Sequence, residues 1–158
     1  NNIYSILEKN PSIFLEEKKV STCSPSTQFD FNQKILIAED VQYNRSLLTN
    51  MLEILGYNNI DLAENGEIAW KMLKDKYKNG EPYDILLLDL KMPKVDGYEI
   101  IENVRENGWI IPKIIVITAS IMKEDREKCK NMGAKYFLNK PIDMKQLKEI
   151  MLYVSNLL

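Results

Sequence analysis

The chain has 158 residues, 45% of them apolar and 28% charged, with a formal net charge of −2 from 21 basic and 23 acidic side chains. That is enough for one domain with its own core plus an appendage, and the composition excludes global disorder. The near-neutral, slightly acidic balance excludes a basic body for gripping a nucleic-acid backbone. No apolar run reaches the roughly 18 residues of a membrane span, and Asn1 to Asn10 carry no signal-peptide pattern. The first residue is not Met, so we expect a piece of a longer protein. The two cysteines, Cys23 and Cys129, are too few for a disulfide framework and are expected as free thiols. Histidine is absent. That excludes Ser-His-Asp and Cys-His nucleophilic chemistry, histidine zinc sites and a phosphoryl-donating histidine within this chain.

Residues 1–33 are expected to be an extension and linker. Ile3, Ile6, Leu7, Ile13, Phe14 and Leu15 suit a short helix or two broken near Pro11. Ser21 to Thr27 has a Ser/Thr-rich linker composition. From residue 34 to 158 the pattern becomes regular. Ile35 to Ala38 is an apolar strand ending in Glu39 and Asp40. Leu47, Leu48, Met51, Leu52 and Leu55 recur at helical spacing up to Gly56. Ile60 to Ala63 reads as a second strand. Asn65 is placed to cap a helix carrying Ile68, Ala69, Met72 and Leu73, which runs out near Asn79 and Gly80. Tyr83 to Leu88 is the third strand. Asp96 and Glu99 have capping-box spacing and open a helix to about Glu106. Ile114 to Ile117 is a fourth, β-branched strand. A helix over Met122 to Met132 stops at Gly133, and Tyr136 to Leu138 is a short fifth strand. Asp143 caps the last helix, with Gln146 completing a box, Ile142 placed to staple against Leu147, and Leu147, Ile150, Met151 and Val154 as its apolar face.

Five strands alternate with five helices, and two strands are apolar throughout, so helices cover both sheet faces. The expected fold is α/β: a five-stranded parallel sheet, doubly wound, of flavodoxin-like type. In such folds the site lies beyond the carboxyl ends of the strands. The strand ends place Glu39, Asp40, Asp89, Thr118, Ser120 and Lys140 there. Three close carboxylates repel unless a cation sits among them, and hard oxygen donors suit Mg2+. Lys140 brings a point charge suited to phosphate or to balancing the acids. Thr118 offers a hydroxyl to a phosphoryl oxygen. Asp89, ending the central strand, is placed to act as a nucleophile that forms an aspartyl phosphate.

Four separated segments, Ile35-Leu36-Ile37-Ala38-Glu39-Asp40, Leu86 to Gly97 around Asp89, Ile117-Thr118-Ala119, and Gly133 to Pro141 around Lys140, occur in the order and spacing of a known family. On them the chain resembles a response regulator receiver domain of two-component signalling over residues 34 to 158. The resemblance implies that Asp89 accepts a phosphoryl group from a phosphohistidine. It implies that Glu39, Asp40, Asp89 and the carbonyl of Lys91 hold Mg2+, and that Thr118 and Lys140 contact the phosphoryl group. It also implies a cis peptide before Pro141. Phe137, three residues before the lysine, occupies the place of an aromatic switch that turns inward on phosphorylation while Thr118 shifts toward Asp89. The resemblance implies that Lys91 and Ser120, two residues beyond Asp89 and Thr118, border the path of the attacking water. Most of the family carries Asp-Asp where this chain has Glu39-Asp40, so altered Mg2+ affinity is expected.

The stretch Glu39 to Arg45 resembles receivers fused behind sensor histidine kinases, with Asn44 and Arg45 as the shared pair. The same two residues also read as a helix-start residue and a solvated charge. The implied partners are a sensor histidine kinase or histidine phosphotransfer domain and a downstream protein, in the cytoplasm. No direct contact of this segment with nucleic acid or membrane is expected, and homodimerisation through the last helix or residues 1–33 is an open alternative. Two other functions stand beside this one: a phosphorylation-independent interaction module, and an aspartyl-phosphate-forming phosphatase. The phosphatases commonly carry a second acid two residues beyond the nucleophile, where this chain has Lys91.

Overall fold

A computed structural model describes residues 30–108, 112–119 and 122–155. The expected N-terminal helices, the linker, Cys23 and Ser120 lie outside the described residues. The elements in chain order are β1 (Ile35–Ala38), α1 (Gln42–Leu55), β2 (Ile60–Ala63), α2 (Gly66–Lys78), β3 (Ile85–Asp89), α3 (Gly97–Glu106), β4 (Lys113–Thr118), α4 (Lys123–Asn131), β5 (Tyr136–Asn139) and α5 (Met144–Ser155). All the strand pairs are parallel, and the sheet order is β2-β1-β3-β4-β5. This is the doubly wound, flavodoxin-like order, in which the chain reverses its winding direction between β1 and β3.

Strands β1, β3 and β4 are apolar on both faces because both faces are covered. Ile35, Ile37, Ile85, Leu87, Ile115, Ile117 and Leu138 point into a core shared with α1 and α5. Leu36, Leu86, Leu88, Ile114, Val116 and Phe137 point the other way, into a core shared with α2, α3 and α4. The alternation follows directly from the two-residue strand period.

The helix boundaries follow local signals. Asn65 Oδ1 accepts from the Ile68 amide at 2.9 Å, and Asp96 Oδ1 accepts from the Glu99 amide at 3.0 Å. Each satisfies one of the unpaired N–H groups of a helix start. Asp143 Oδ1 accepts from the Lys145 amide at 3.3 Å, and Ile142 packs against the cluster that contains Leu147. Helix α1 ends in a paired motif: the Tyr57 amide bonds to the Leu52 carbonyl and the Gly56 amide to the Glu53 carbonyl. Gly56 has φ +118°, a backbone that side chains disfavour. The same two-bond arrangement closes α2 around Gly80 and α4 around Gly133.

The third strand starts later than the sequence suggests. Tyr83 leaves the ladder, and its hydroxyl donates to Asp61 Oδ2 at 2.6 Å. At the other end Asp89 stays in register opposite Ile117, so the sheet itself fixes its backbone. The entering chain also touches the domain. Phe31 sets its ring edge-on to Tyr57 at 5.2 Å, and buried Gln33 accepts from Ser155 Oγ at 3.2 Å.

Candidate functional site

Glu39 and Asp40 follow β1, Asp89 ends β3, and the two strands are neighbours at the switch point. One carboxylate oxygen from each residue lies within 4.8 Å of the other two. Lys140 follows β5 and reaches inward. Its Nζ is 3.0 Å from Glu39 Oε2 and 3.1 Å from Asp89 Oδ2. The Lys140–Pro141 peptide is cis. The β3–α3 loop is drawn tight beside the cluster. The Gly97 amide donates to the Leu90 carbonyl at 3.0 Å, and a Cβ on Gly97 would come within 2.7 Å of the Asp89 carbonyl oxygen.

The electrostatics follow from burial. Glu39 is fully buried and Asp89 is 5% exposed, while Asp40 is half-buried. Desolvation pushes the Asp89 carboxyl up to about 6; the Glu39 charge adds to the rise, and the Lys91 amide and Lys140 oppose it. Burial acts on Glu39 in the same direction but is outweighed by contacts with Lys140, Asn44 and the Val41 amide, so its carboxyl sits below the usual range. Burial alone would lower the Lys140 pKa, yet the two acids raise it, so the amine stays charged between them.

The expected residues are placed as follows. The Lys91 amide donates to Asp89 Oδ1 at 3.1 Å. Thr118 is buried at the end of β4, opposite Asn139, and its carbonyl accepts from the Lys140 amide at 2.9 Å. Phe137 is already inside, 1% exposed, in the core facing α2, α3 and α4. The sequence did not reveal how the Glu39-Asp40 pair is gripped. Asn44 Nδ2 and the Val41 amide each donate to Glu39 Oε1 at 3.2 Å. Arg45 Nη1 donates to the Glu39 carbonyl at 2.7 Å and the Asp40 carbonyl at 2.9 Å. The sequence marks Asn44 and Arg45 only as a pair shared with receivers fused behind sensor histidine kinases, about one helical turn beyond the acids.

The donor set fits a hard divalent cation. It is made of carboxylate oxygens alone, two of the three acids are buried, and Glu39 Oε2 has no hydrogen-bond partner. Its 3.0 Å contact with Lys140 is an ion pair that lacks hydrogen-bond alignment. Such an oxygen, buried and aimed into a cluster of like charges, has a use for a further cation.

Comparison with known proteins shows the family and the fold. The chain is 31% identical over 134 residues to the osmosensing histidine protein kinase SLN1 of Saccharomyces cerevisiae, covering 85% of this chain and 11% of that protein. It is 32% identical to the sensor histidine kinase RcsC of Salmonella typhi, covering 92% of this chain and 15% of that one. The chain thus spans only a small part of these relatives. Among solved structures, the receiver domain of the sensor histidine kinase PA1611 from Pseudomonas aeruginosa, with a magnesium ion coordinated in its active-site cleft, superposes with a TM-score of 0.65. It is 32% identical and covers 77% of this chain and 95% of that one. The chemotaxis protein CheY4 of Vibrio cholerae shares the fold at a TM-score of 0.68, with 24% identity over 77% of this chain and 98% of that one. A family model described as the response regulator receiver domain matches residues 35–152, and the chain belongs to that family.

Proposed function

We propose that this domain is the phosphoacceptor of a His-Asp phosphorelay, with Asp89 as the phosphorylated residue. One observation carries the proposal: a ladder-held, buried carboxylate shares its site with two further acids and a charged lysine at the switch point of the sheet. An Asp89 carboxylate oxygen bonds to phosphorus as the P–N bond of a phosphohistidine breaks, and the electron pair of that bond returns to the imidazole nitrogen. Lys140 balances charge on the phosphoryl oxygens, and Thr118 supplies a hydroxyl to one of them. Glu39, Asp40, Asp89 and the Lys91 carbonyl would hold Mg2+, which when bound neutralises charge on the transferring group.

The relatives are kinases, and this chain has no histidine, so the phosphodonor is a sensor histidine kinase or histidine phosphotransfer domain on another segment or chain. Val41 and Tyr43, 46% and 72% exposed beside the acids, offer that donor an apolar footing. No helix among the described residues is long and apolar enough to cross a membrane, and we place the domain's work in the cytoplasm. Phosphorylation then biases the surface of α4, β5 and α5 toward a downstream protein, with Thr118 and Phe137 as the moving parts. Phe137 lies inward, 1% exposed, the side to which this switch would bring it.

The test is incubation with Mg2+ and acetyl phosphate, followed by intact mass and site mapping. We expect the gain of one phosphoryl group at Asp89 that requires Mg2+ and is absent in Asp89→Asn. Stoichiometric label on another residue overturns the assignment.

A further inference from the structure

Two carboxylates on consecutive residues meet a geometric obstacle. In an extended chain successive side chains point to opposite sides, and so do successive carbonyls. Glu39 still belongs to the sheet edge, its amide bonding to the Ala63 carbonyl at 3.1 Å. Beyond it the chain must curl if Glu39 and Asp40 are to present oxygens to the same point as Asp89. The curl is visible in the carbonyls. Those of Glu39 and Asp40 converge on a single nitrogen, Arg45 Nη1, at 2.7 and 2.9 Å.

Arg45 is itself anchored. Its amide bonds to the Val41 carbonyl at 3.0 Å in the first turn of α1, and its carbonyl accepts from Thr49 Oγ1 at 2.8 Å. Its neighbour Asn44 takes Glu39 Oε1 together with the Val41 amide, which commits that oxygen and leaves Oε2 facing Lys140. This matters most for a glutamate. Glu has one more rotatable bond than Asp, and without a grip on Oε1 its carboxylate would sample several positions.

We infer that Arg45 and Asn44 are positioning residues that preset the divalent-cation site, Arg45 by holding the backbone curl of Glu39-Asp40 and Asn44 by orienting the Glu39 carboxylate. The inference rests on reading Glu39, Asp40 and Asp89 as Mg2+ ligands. Neither residue touches the ion; each acts through a ligand, as outer-shell partners do at metal sites.

The experiment is a calorimetric Mg2+ titration of the full chain, paired with thermal melting in chelator. Arg45→Met keeps the length and apolar stem but donates nothing. It should weaken Mg2+ binding by about tenfold or more, the loss typical of outer-shell partners, while the metal-free melting temperature stays close to the parent's. Arg45→Lys, whose ammonium can donate to both carbonyls, should recover most of the affinity. Asn44→Leu should weaken binding by a smaller factor. Parental affinity in Arg45→Met overturns the backbone clamp, and parental affinity in Asn44→Leu overturns the role of Asn44. Weakened binding in Arg45→Met that Arg45→Lys does not recover, with melting lowered in both, reduces Arg45 to a fold-stabilising residue and overturns the inference. A parent chain that binds no Mg2+ removes the metal-site reading and the clamp with it. A parent that binds Mg2+ but takes no phosphoryl group removes the phosphoacceptor reading and leaves the clamp standing.

Discussion

Helix α5 buries Leu147, Ile150, Met151, Tyr153 and Val154 against the sheet, whereas α4, in the opposite layer, buries Cys129 alone. What holds α4 is largely polar. The Tyr98 hydroxyl, from α3, donates to Asp125 Oδ1 at 2.8 Å, and the Lys128 ammonium lies 4.0 Å from the centre of the Tyr98 ring. Arg105 Nη1 reaches the Asn131 carbonyl at 3.2 Å. Burial, then Asp125, keeps the Tyr98 phenol well above its ordinary pKa, so it remains a donor. An element fastened by apolar area opens only when the core opens. An element fastened by a few hydrogen bonds at its rim can detach while the rest stays folded. The two helices that flank β5 are therefore a fixed wall and a movable one. Under the proposed function, a domain whose output surface changes would gain from having both.

The comparison can be broken from its strong side first. Leu147→Ala, which empties a fully buried site in α5, should cost about 2–5 kcal/mol in urea unfolding monitored by circular dichroism. A loss under 1 kcal/mol would mean that α5 is no better anchored than α4. Tyr98→Phe deletes one hydroxyl and should cost about 1 kcal/mol. The decisive readout is native-state hydrogen exchange: amides of α4 should exchange faster while those of α5 keep their protection. Equal acceleration in both helices would show that α4 opens only with the whole domain. Smallest of all, Lys128→Ala removes the cation over the Tyr98 ring and should lower the free energy of α4 opening, read by the same exchange, by about 0.5 kcal/mol at this half-exposed contact.

The strands and most helix limits were legible because the physics that sets them is local. Ile35 to Ala38, Ile85 to Leu88 and Ile114 to Ile117 are apolar runs that only a doubly covered sheet can use. Asn65, Asp96, Gly56 and Gly133 are boundary residues whose bonds lie within a few positions of them. The convergence of Glu39, Asp40, Asp89 and Lys140 could be read because each stands at a strand end and the fold does the gathering. The grip on the acids could not. Arg45 binds backbone carbonyls, which carry no side-chain signature, and a basic residue in a helix's first turns looks the same whether it points to solvent or folds back. The start of β3 was missed for a similar reason, since Tyr83 suits a strand but is pulled aside by Asp61. Pattern does separate α5, with its apolar face of Leu147, Ile150, Met151 and Val154, from the charged α4, but the Tyr98, Asp125 and Arg105 contacts that fasten α4 lie between distant residues and leave no local signal.

The reach of Lys140 has one more consequence. It leaves from β5 at the sheet's edge, yet its amine rests beside acids on β1 and β3 at the centre. From β5 to β3 is two strand spacings, about 10 Å. The side chain is thus a tie rod strung across the top of β4, with its outer end on the strand nearest the movable helix. On the proposed phosphorylation of Asp89, charge added at the centre would act on a side chain rooted in the edge strand. The sheet's most rigid point would then be read at its margin, without any strand having to break a bond in its ladder.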